Sequence, residues 1–209
     1  YCWAPAFNIV PHVAVGSRRY RATFKGPGGH SYAAFGLPNP IGALGRAAAA
    51  LSAMQVAASP RTTFNVGRIG GGTSVNAIPF DAWMEVDLRS PDAAALAALA
   101  GRFEAIVGQA VAEENARWGR AGVISVDLAV VGDRPAGMIA ADAPIVATAR
   151  AAASALGLTA PMGEGSTDAN LPISLGIPAV TIGGGGRGSG AHALDETFTL
   201  TNAWEAEPI

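Results

Sequence analysis

Cysteine is nearly absent from this chain: Cys2 is the only one in 209 residues. A lone thiol makes no internal disulfide, so the fold must rest on packing, and nothing points to an oxidising compartment. The expected location is cytoplasmic. Histidine is almost as scarce, with only His12, His30 and His192. With so few soft ligands, and with neither His-Glu-x-x-His nor Cys-x-x-Cys, a self-sufficient zinc site is hard to build. The patterns Gly-x-Ser-x-Gly and Gly-Lys-Ser/Thr are missing too, which argues against a nucleophile elbow and a P-loop. Charge is sparse: 14% of residues are ionisable Asp, Glu, Lys or Arg, and the formal net charge is −2. That balance argues against a nucleic-acid or acidic-membrane surface. No uninterrupted apolar run approaches the ~18–20 residues needed to span a bilayer, so no membrane partner is expected. The first residue is Tyr1 rather than Met, so the chain is expected to begin inside a longer protein.

Apolar residues, by contrast, make up 50% of the chain, which is ample for a folded core. Tyr1 to Val15 has Pro5 and Pro11 and no clear period, and reads as the tail of an element whose partner is missing. From Arg18 the pattern sharpens. Arg18 to Gly26 alternates, with Tyr20, Ala22 and Phe24 on one face and Arg19, Arg21, Thr23 and Lys25 on the other, which predicts a half-buried strand. Gly26-Pro27-Gly28-Gly29 breaks it. Pro38 to Ala57 predicts a helix with a stripe of Ile41, Leu44, Ala48 and Leu51. Strands follow over 62–69 and 82–89, the latter with Met84, Val86 and Leu88 inward and Trp83, Glu85, Asp87 and Arg89 outward. Ser90-Pro91 reads as an N-cap and first helical residue, opening a helix to about Trp118. Val123 to Val131 closes the series, with Ile124, Val126, Leu128 and Val130 inward. The order β-α-β-β-α-β is the split-βαβ, ferredoxin-like pattern, with two helices on one face of a four-stranded sheet.

Gly132 to Pro135 then reads as a linker. The remainder is α/β: a helix over 145–156, a short helix over 169–175 ending at Gly176, and a buried strand, Ala179 to Ile182. At about 75 residues this part is too short to cover both faces of a sheet, and needs strands from elsewhere. The strand empties into Gly183 to Gly186, with His192 shortly after. Glycine permits close backbone approach to a ligand, and the carboxyl end of a strand in an open α/β sheet is where ligands bind.

Each candidate residue has a plain structural reading beside a chemical one. His30, in a glycine turn, is a surface histidine or else an acid, donor or ligand. Asn76 serves turn geometry or a ligand. Arg89 pairs with Asp87 on its own strand or clamps a carboxylate. Asp168 is a helix N-cap or part of a site. Gly183, Gly185 and Gly188 form Gly-x-Gly-x-x-Gly, which raises nucleotide binding; that motif needs a following βαβ unit and an acid about 20 positions on.

The segments RYRATFKGPGGHS, GGTSVNAIP, EVDLRS and GSTDANLPISLGIPAVTIGGGGRGSGAHALDE, in that order, resemble one family. It is the dizinc metallopeptidase and aminoacylase family that includes acetylornithine deacetylase, succinyl-diaminopimelate desuccinylase, carboxypeptidase G and peptidase T. The resemblance runs from about Arg18 to Phe198. It implies an α/β catalytic domain interrupted by a ferredoxin-like lid through which the protein forms a homodimer. Residues 1–17 would end the first catalytic segment, 18–131 form the lid and dimerisation domain, and 132–209 be the C-terminal part of the catalytic domain, of which only part is present.

The same resemblance implies the site. His192 would be a metal ligand, with Glu196 at the matching acid. His30 would reach across the dimer to the scissile carbonyl. Asn76 would lie near the same oxyanion, Arg89 would grip a substrate carboxylate, and Gly183 and Gly184 would line the pocket with backbone. The cofactors would be two divalent metal ions, zinc by analogy, with the remaining ligands and the general base upstream. The substrate would be a small peptide or an N-acyl amino acid, and the chain alone would be inactive. A non-catalytic dimerisation or peptide-binding module on the same scaffold is the alternative, and nucleotide binding through the glycine loop a further one.

Overall fold

The computed structural model describes residues 10–183 and 186–200. Its strands, in chain order, are β1 (Val10–Ala14), β2 (Gly16–Lys25), β3 (Gly29–His30), β4 (Thr63–Gly71), β5 (Ala77–Ile78), β6 (Asp81–Ser90), β7 (Ser125–Arg134), β8 (Gly137–Met138), β9 (Met162–Gly165), β10 (Arg187–Ser189) and β11 (Thr197–Thr199). The helices are α1 (Pro40–Ser52), α2 (Ala93–Arg117), α3 (Pro144–Ala155) and α4 (Asn170–Ser174). The chain divides into two compact units, one of Ser17–Asp133 and one of Tyr1–Gly16 with Arg134–Ile209.

In the first unit the sheet order is β4-β6-β2-β7. Taken with the chain order β2-α1-β4-β6-α2-β7, that is the ferredoxin-like arrangement expected from the pattern. Alternation decides the faces. Tyr20, Ala22 and Phe24 of β2 and Met84, Val86 and Leu88 of β6 are buried with Leu44 and Leu51 of α1 and with Leu96, Leu99, Phe103 and Val107 of α2. By length and composition alone α2 could cross a membrane, but these four residues put one side of it in the core.

The opposite face of the sheet is a lattice of charge. Glu85 accepts from Arg21 and from Arg68, each at 2.9 Å, and Trp83 lies under the Arg21 guanidinium at 3.9 Å. Lys25 pairs with Asp127. Arg18 shares the period of Tyr20 rather than that of Arg21; it hydrogen-bonds Asp133 at 3.0 Å, and that partner strengthens its hold on the proton.

Caps explain the helix limits, and correct two expectations. Asn39, not Pro38, opens α1: its Oδ1 accepts from the Ile41 amide at 2.9 Å, with Pro40 in the first turn. Asp92, not Ser90, caps α2, accepting from the Ala95 amide at 2.7 Å. Ser90 stays in β6, buried, and its Oγ accepts from the Asp92 amide at 3.2 Å. The junction of the helices turns on Glu114, a carboxylate only 3% exposed. It accepts from the Asn39 amide at 3.1 Å, Arg46 Nε at 3.1 Å and Trp118 Nε1 at 3.0 Å. A Cβ at position 42 would sit 2.9 Å from that carboxylate, so Gly42 gives it room.

Leu128 and Val130 are not inward: they are 38% and 55% exposed. From that segment only Ile124 and Val126 join the core. Since β7 is an edge strand, its alternation continues past the cover that the helices provide.

In the second unit β1 is the middle strand of a three-stranded sheet, β8-β1-β9. Within the segment expected to be a tail, Val10–Ala14 is thus a strand, parallel to β9 and antiparallel to β8. Pro11 hid it. The register shifts between Pro11 and Val13, and a bulge is where a sheet tolerates proline. Val10 packs with Val146, Ala153 and Ala160. Asn170, buried, donates through Nδ2 to the Val15 and Pro135 carbonyls, both at 2.9 Å.

Two further expectations fail here. The presumed linker is partly strand, since β7 runs through Arg134. Ala179 to Ile182 forms no ladder among the described residues, and Ile182 is 41% exposed. An apolar run can mark a strand, but a ladder needs a neighbouring backbone to pair with.

Candidate functional site

The glycines ahead of His30 have a steric origin. Gly28 has φ +69°, and a Cβ there would lie 2.4 Å from the Phe80 ring, so both the backbone and the contact require glycine. The Gly26 amide donates to the Phe80 carbonyl at 2.9 Å. This brings β3 beside β5, with His30 opposite Ala77. The Ser31 amide then donates to the Asn76 carbonyl at 2.9 Å. His30 and Asn76, separated by 46 positions in the sequence, therefore share one short exposed ribbon.

The hydrogen bonds of this ribbon assign donors. His30 Nδ1 accepts from the Tyr32 amide at 3.2 Å and the Ala33 amide at 3.4 Å. In the neutral ring that places the proton on Nε2. Asn76 Oδ1 accepts from Ser74 Oγ at 2.5 Å, which leaves its amide N–H groups as the free function. The ribbon thus carries two exposed side chains with a hydrogen-bond donor each, and donors of this kind can stabilise an oxygen that gains negative charge.

Arg89 is elsewhere. It stands eight residues along β6 from Asp81, about 27 Å at ~3.4 Å per residue, and so is not brought to the ribbon within its own unit. Its Nε donates to Asp87 Oδ2 at 2.6 Å. Asp87 also accepts from Ser17 at 3.1 Å and Arg19 at 3.3 Å.

Gly183 and His192 belong to the other unit; Gly184 lies outside the described residues. Gly183 is buried. His192 is exposed in the connection between β10 and β11, with φ 65°, and its backbone N–H donates to Glu196 Oε2 at 3.2 Å. Among the described residues no group of three or more His, Cys, Asp or Glu could hold a metal ion. One imidazole is not a metal centre, so these residues do not by themselves fit the dizinc group. The nucleotide motif loses its context as well. Among the described residues no helix follows the glycines; β10 does, paired antiparallel with β11.

Asp168 does not cap α4: Ala169 is the N-cap residue, with no side-chain cap bond. Asp168 instead meets Arg134 Nη2 at 3.4 Å, while Arg134 Nη1 donates to the Ser166 carbonyl at 3.2 Å. Both line an open cavity of about 830 Å³ with Thr167 and Thr181, whose hydroxyls are 2.6 Å apart. Reading Gly132 to Pro135 as a linker concealed Arg134; the alternation of 123–131, carried three residues further, was the available signal.

The model of the peptidase dimerisation domain, M20_dimer, matches residues 14–115. This segment is an M20 peptidase dimerisation domain. The family expected from the motifs and the family of the match are one and the same. Solved structures extend the likeness of fold beyond the dimerisation domain. Aminopeptidase PepT from Bacillus cereus is 20% identical with a TM-score of 0.71, covering 98% of this chain and 52% of that one. A tripeptidase from Staphylococcus aureus is 20% identical with a TM-score of 0.73, again covering 98% and 52%. The aminobenzoyl-glutamate utilization protein from Klebsiella pneumoniae is 21% identical with a TM-score of 0.64, covering 82% and 44%. The chain thus spans about half the length of these neighbours or less. No curated protein matches it.

Proposed function

We propose that the intact protein is a dimeric, metal-dependent hydrolase of amide bonds in small peptides or N-acyl amino acids. In this reading the chain supplies the dimerisation domain and one metal ligand, His192, and the other ligands come from residues outside it. The active form is a homodimer through the dimerisation domain, located in the cytoplasm. The observation that carries the reading is the ribbon: His30 Nε2–H and the Asn76 amide are two donors on one exposed edge of a peptidase dimerisation domain. As an amide carbonyl becomes tetrahedral its oxygen gains charge, and fixed donors stabilise that charge more than they stabilise the ground state. His30 acts from the partner subunit, and Gly183 and Gly184 shape the pocket with backbone.

The test is hydrolysis of a panel of di- and tripeptides and N-acetyl amino acids by the full-length protein, with metal content measured alongside. His30→Ala should lower kcat by ~100-fold or more with metal content unchanged. His192→Ala should lose metal and turnover together. Mixed subunits of the two variants should regain part of the activity, because one intact site forms across the dimer. Absence of hydrolysis by the metal-loaded wild-type protein would leave a non-catalytic dimerisation or peptide-binding role in its place.

A further inference from the structure

Beside the carboxylate clamp expected at Arg89, a second arginine, Arg134 in the other unit, offers the same fork at a cavity. Arg89 is bound through Nε to Asp87 at 2.6 Å, on a sheet face where Asp87 is already shared with Arg19 and Ser17. Arg134 is held differently. The end of β7 supplies its backbone, the Ser166 carbonyl accepts from Nη1 at 3.2 Å, and its side chain is 39% exposed into an open cavity. We propose that this cavity binds a small carboxylate with an apolar body, its charged end on the Arg134 guanidinium.

Four features support the site. Its volume of about 830 Å³ lies within the ~300–1,000 Å³ of small-molecule pockets. Part of its wall is apolar, built from Ala169, Pro172, Ala179, Val180 and Ile182. The Thr167 and Thr181 hydroxyls touch at 2.6 Å; one donates to the other, and the second hydrogen stays free to donate to a ligand oxygen. Finally, a carboxylate of the chain already reaches the guanidinium. Asp168 Oδ1 is 3.4 Å from Arg134 Nη2, on a side chain that is fully exposed. A single long contact made in solvent is readily exchanged, whereas a ligand carboxylate can take the guanidinium fork in two parallel bonds. Ile182 also leads directly into Gly183, so the cavity adjoins the proposed backbone wall. The ligand's identity alone rests on the hydrolase reading: the carboxylate end of a peptide or N-acyl amino acid with an apolar side chain. The binding chemistry stands without it.

The experiment titrates the full-length protein with 3-methylbutanoate and with 3-methylbutanol, by calorimetry and by NMR shifts of Thr167 and Thr181. Neither probe has a bond that a peptidase cleaves, so the result is independent of hydrolysis. The acid should bind at least tenfold tighter than the alcohol and should shift both threonines. Arg134→Gln should abolish the preference and Arg134→Lys retain part of it, as a point charge replaces a fork. Asp168→Asn should tighten binding of the acid by removing its competitor. Should Arg134→Gln fail to fold, the wild-type acid-to-alcohol ratio and a severalfold weakening in Thr181→Val decide the matter. Equal affinity for the two probes, unshifted threonines, or an Arg134→Gln protein that folds and binds as wild type would each overturn the proposal.

Discussion

Ser17–Asp133 and the unit around β1 solve the same problem with different completeness. Among the described residues, nineteen buried side chains form one cluster in the first, from Tyr20 to Ile124, against four in the second, Val10, Val146, Ala153 and Ala160. Both units leave large apolar side chains more than half exposed, such as Phe35, Val75 and Phe80 in the first and Met138, Leu171, Leu175 and Ile177 in the second, but the first does so around a far larger core. Two helices over one sheet face bury a stripe from every element that meets there. A three-stranded sheet with one helix of 12 residues and one of five has less to offer. A unit closed around a large core is robust to what lies beside it, and one left open, with a small core, is shaped more by whatever covers it.

Four measurements would break or sharpen this contrast. The largest effect is expected from Phe103→Ala in the closed unit, about 3–5 kcal/mol, read by denaturant unfolding. Val146→Ala, also fully buried, should cost only about 1–2 kcal/mol. Equal losses would mean that the small core is as tightly packed as the large one.

Next comes Glu114→Ala, at about 3 kcal/mol. It strands the Asn39 amide, Trp118 Nε1 and Arg46, whose partial exposure keeps the loss at the lower end. Glu114→Gln should recover part of it, since an amide oxygen still accepts. A neutral Glu114→Ala would remove the junction of α1 and α2 from the account of why this unit is closed.

Asn170→Ala should cost about 1–3 kcal/mol, because three part-buried bonds, to the Val15 and Pro135 carbonyls and from the Thr167 amide, lose their partner. The open unit leans on this side chain more than on its core. Its loss should therefore exceed that of Val146→Ala, and the reverse order would contradict the comparison.

The smallest effect is a matter of pH. Burial, and then the hydrogen bond to Glu104, raise the Tyr20 hydroxyl above its ordinary value of 10.0. A group raised on folding contributes stability that is present below its unfolded pKa and lost as pH climbs through the folded one. Stability of the closed unit should fall above about pH 10, and Tyr20→Phe should flatten that fall. An unchanged alkaline limb in Tyr20→Phe would assign the loss to other groups.

The closed unit was readable from the sequence because its signals are local. The alternation of Arg18 to Gly26 gave the β2 faces directly, and the charged partners of the outer face follow from the same period. Where Leu128 and Val130 misled, the period was right but the helices did not reach. Ser90 misled because Asp92 offers the same chemistry two residues later, and the burial of Ser90 decides between them. In the other unit the signals were interrupted. Pro11 broke the pattern of β1, and Arg134-Pro135 looked like a linker. The candidate site divides in the same way. The glycines beside His30 were visible in the sequence. That His30 and Asn76 share a ribbon, and that His30 Nδ1 accepts from the Tyr32 and Ala33 amides, depend on distances between residues.

By itself the sequence determined the layer architecture of residues 17–133, because side-chain period and cap chemistry act over a few residues. It also determined the family, through motifs whose order needs no coordinates. Tertiary structure alone decided which polar side chains are free to act. Hydrogen-bond partners come from positions far apart in the chain, as Asn76 meets the backbone of Ser31 and Arg134 opens into a cavity with Thr167 and Thr181. A donor's availability depends on what else can reach it, and that is a property of the folded chain.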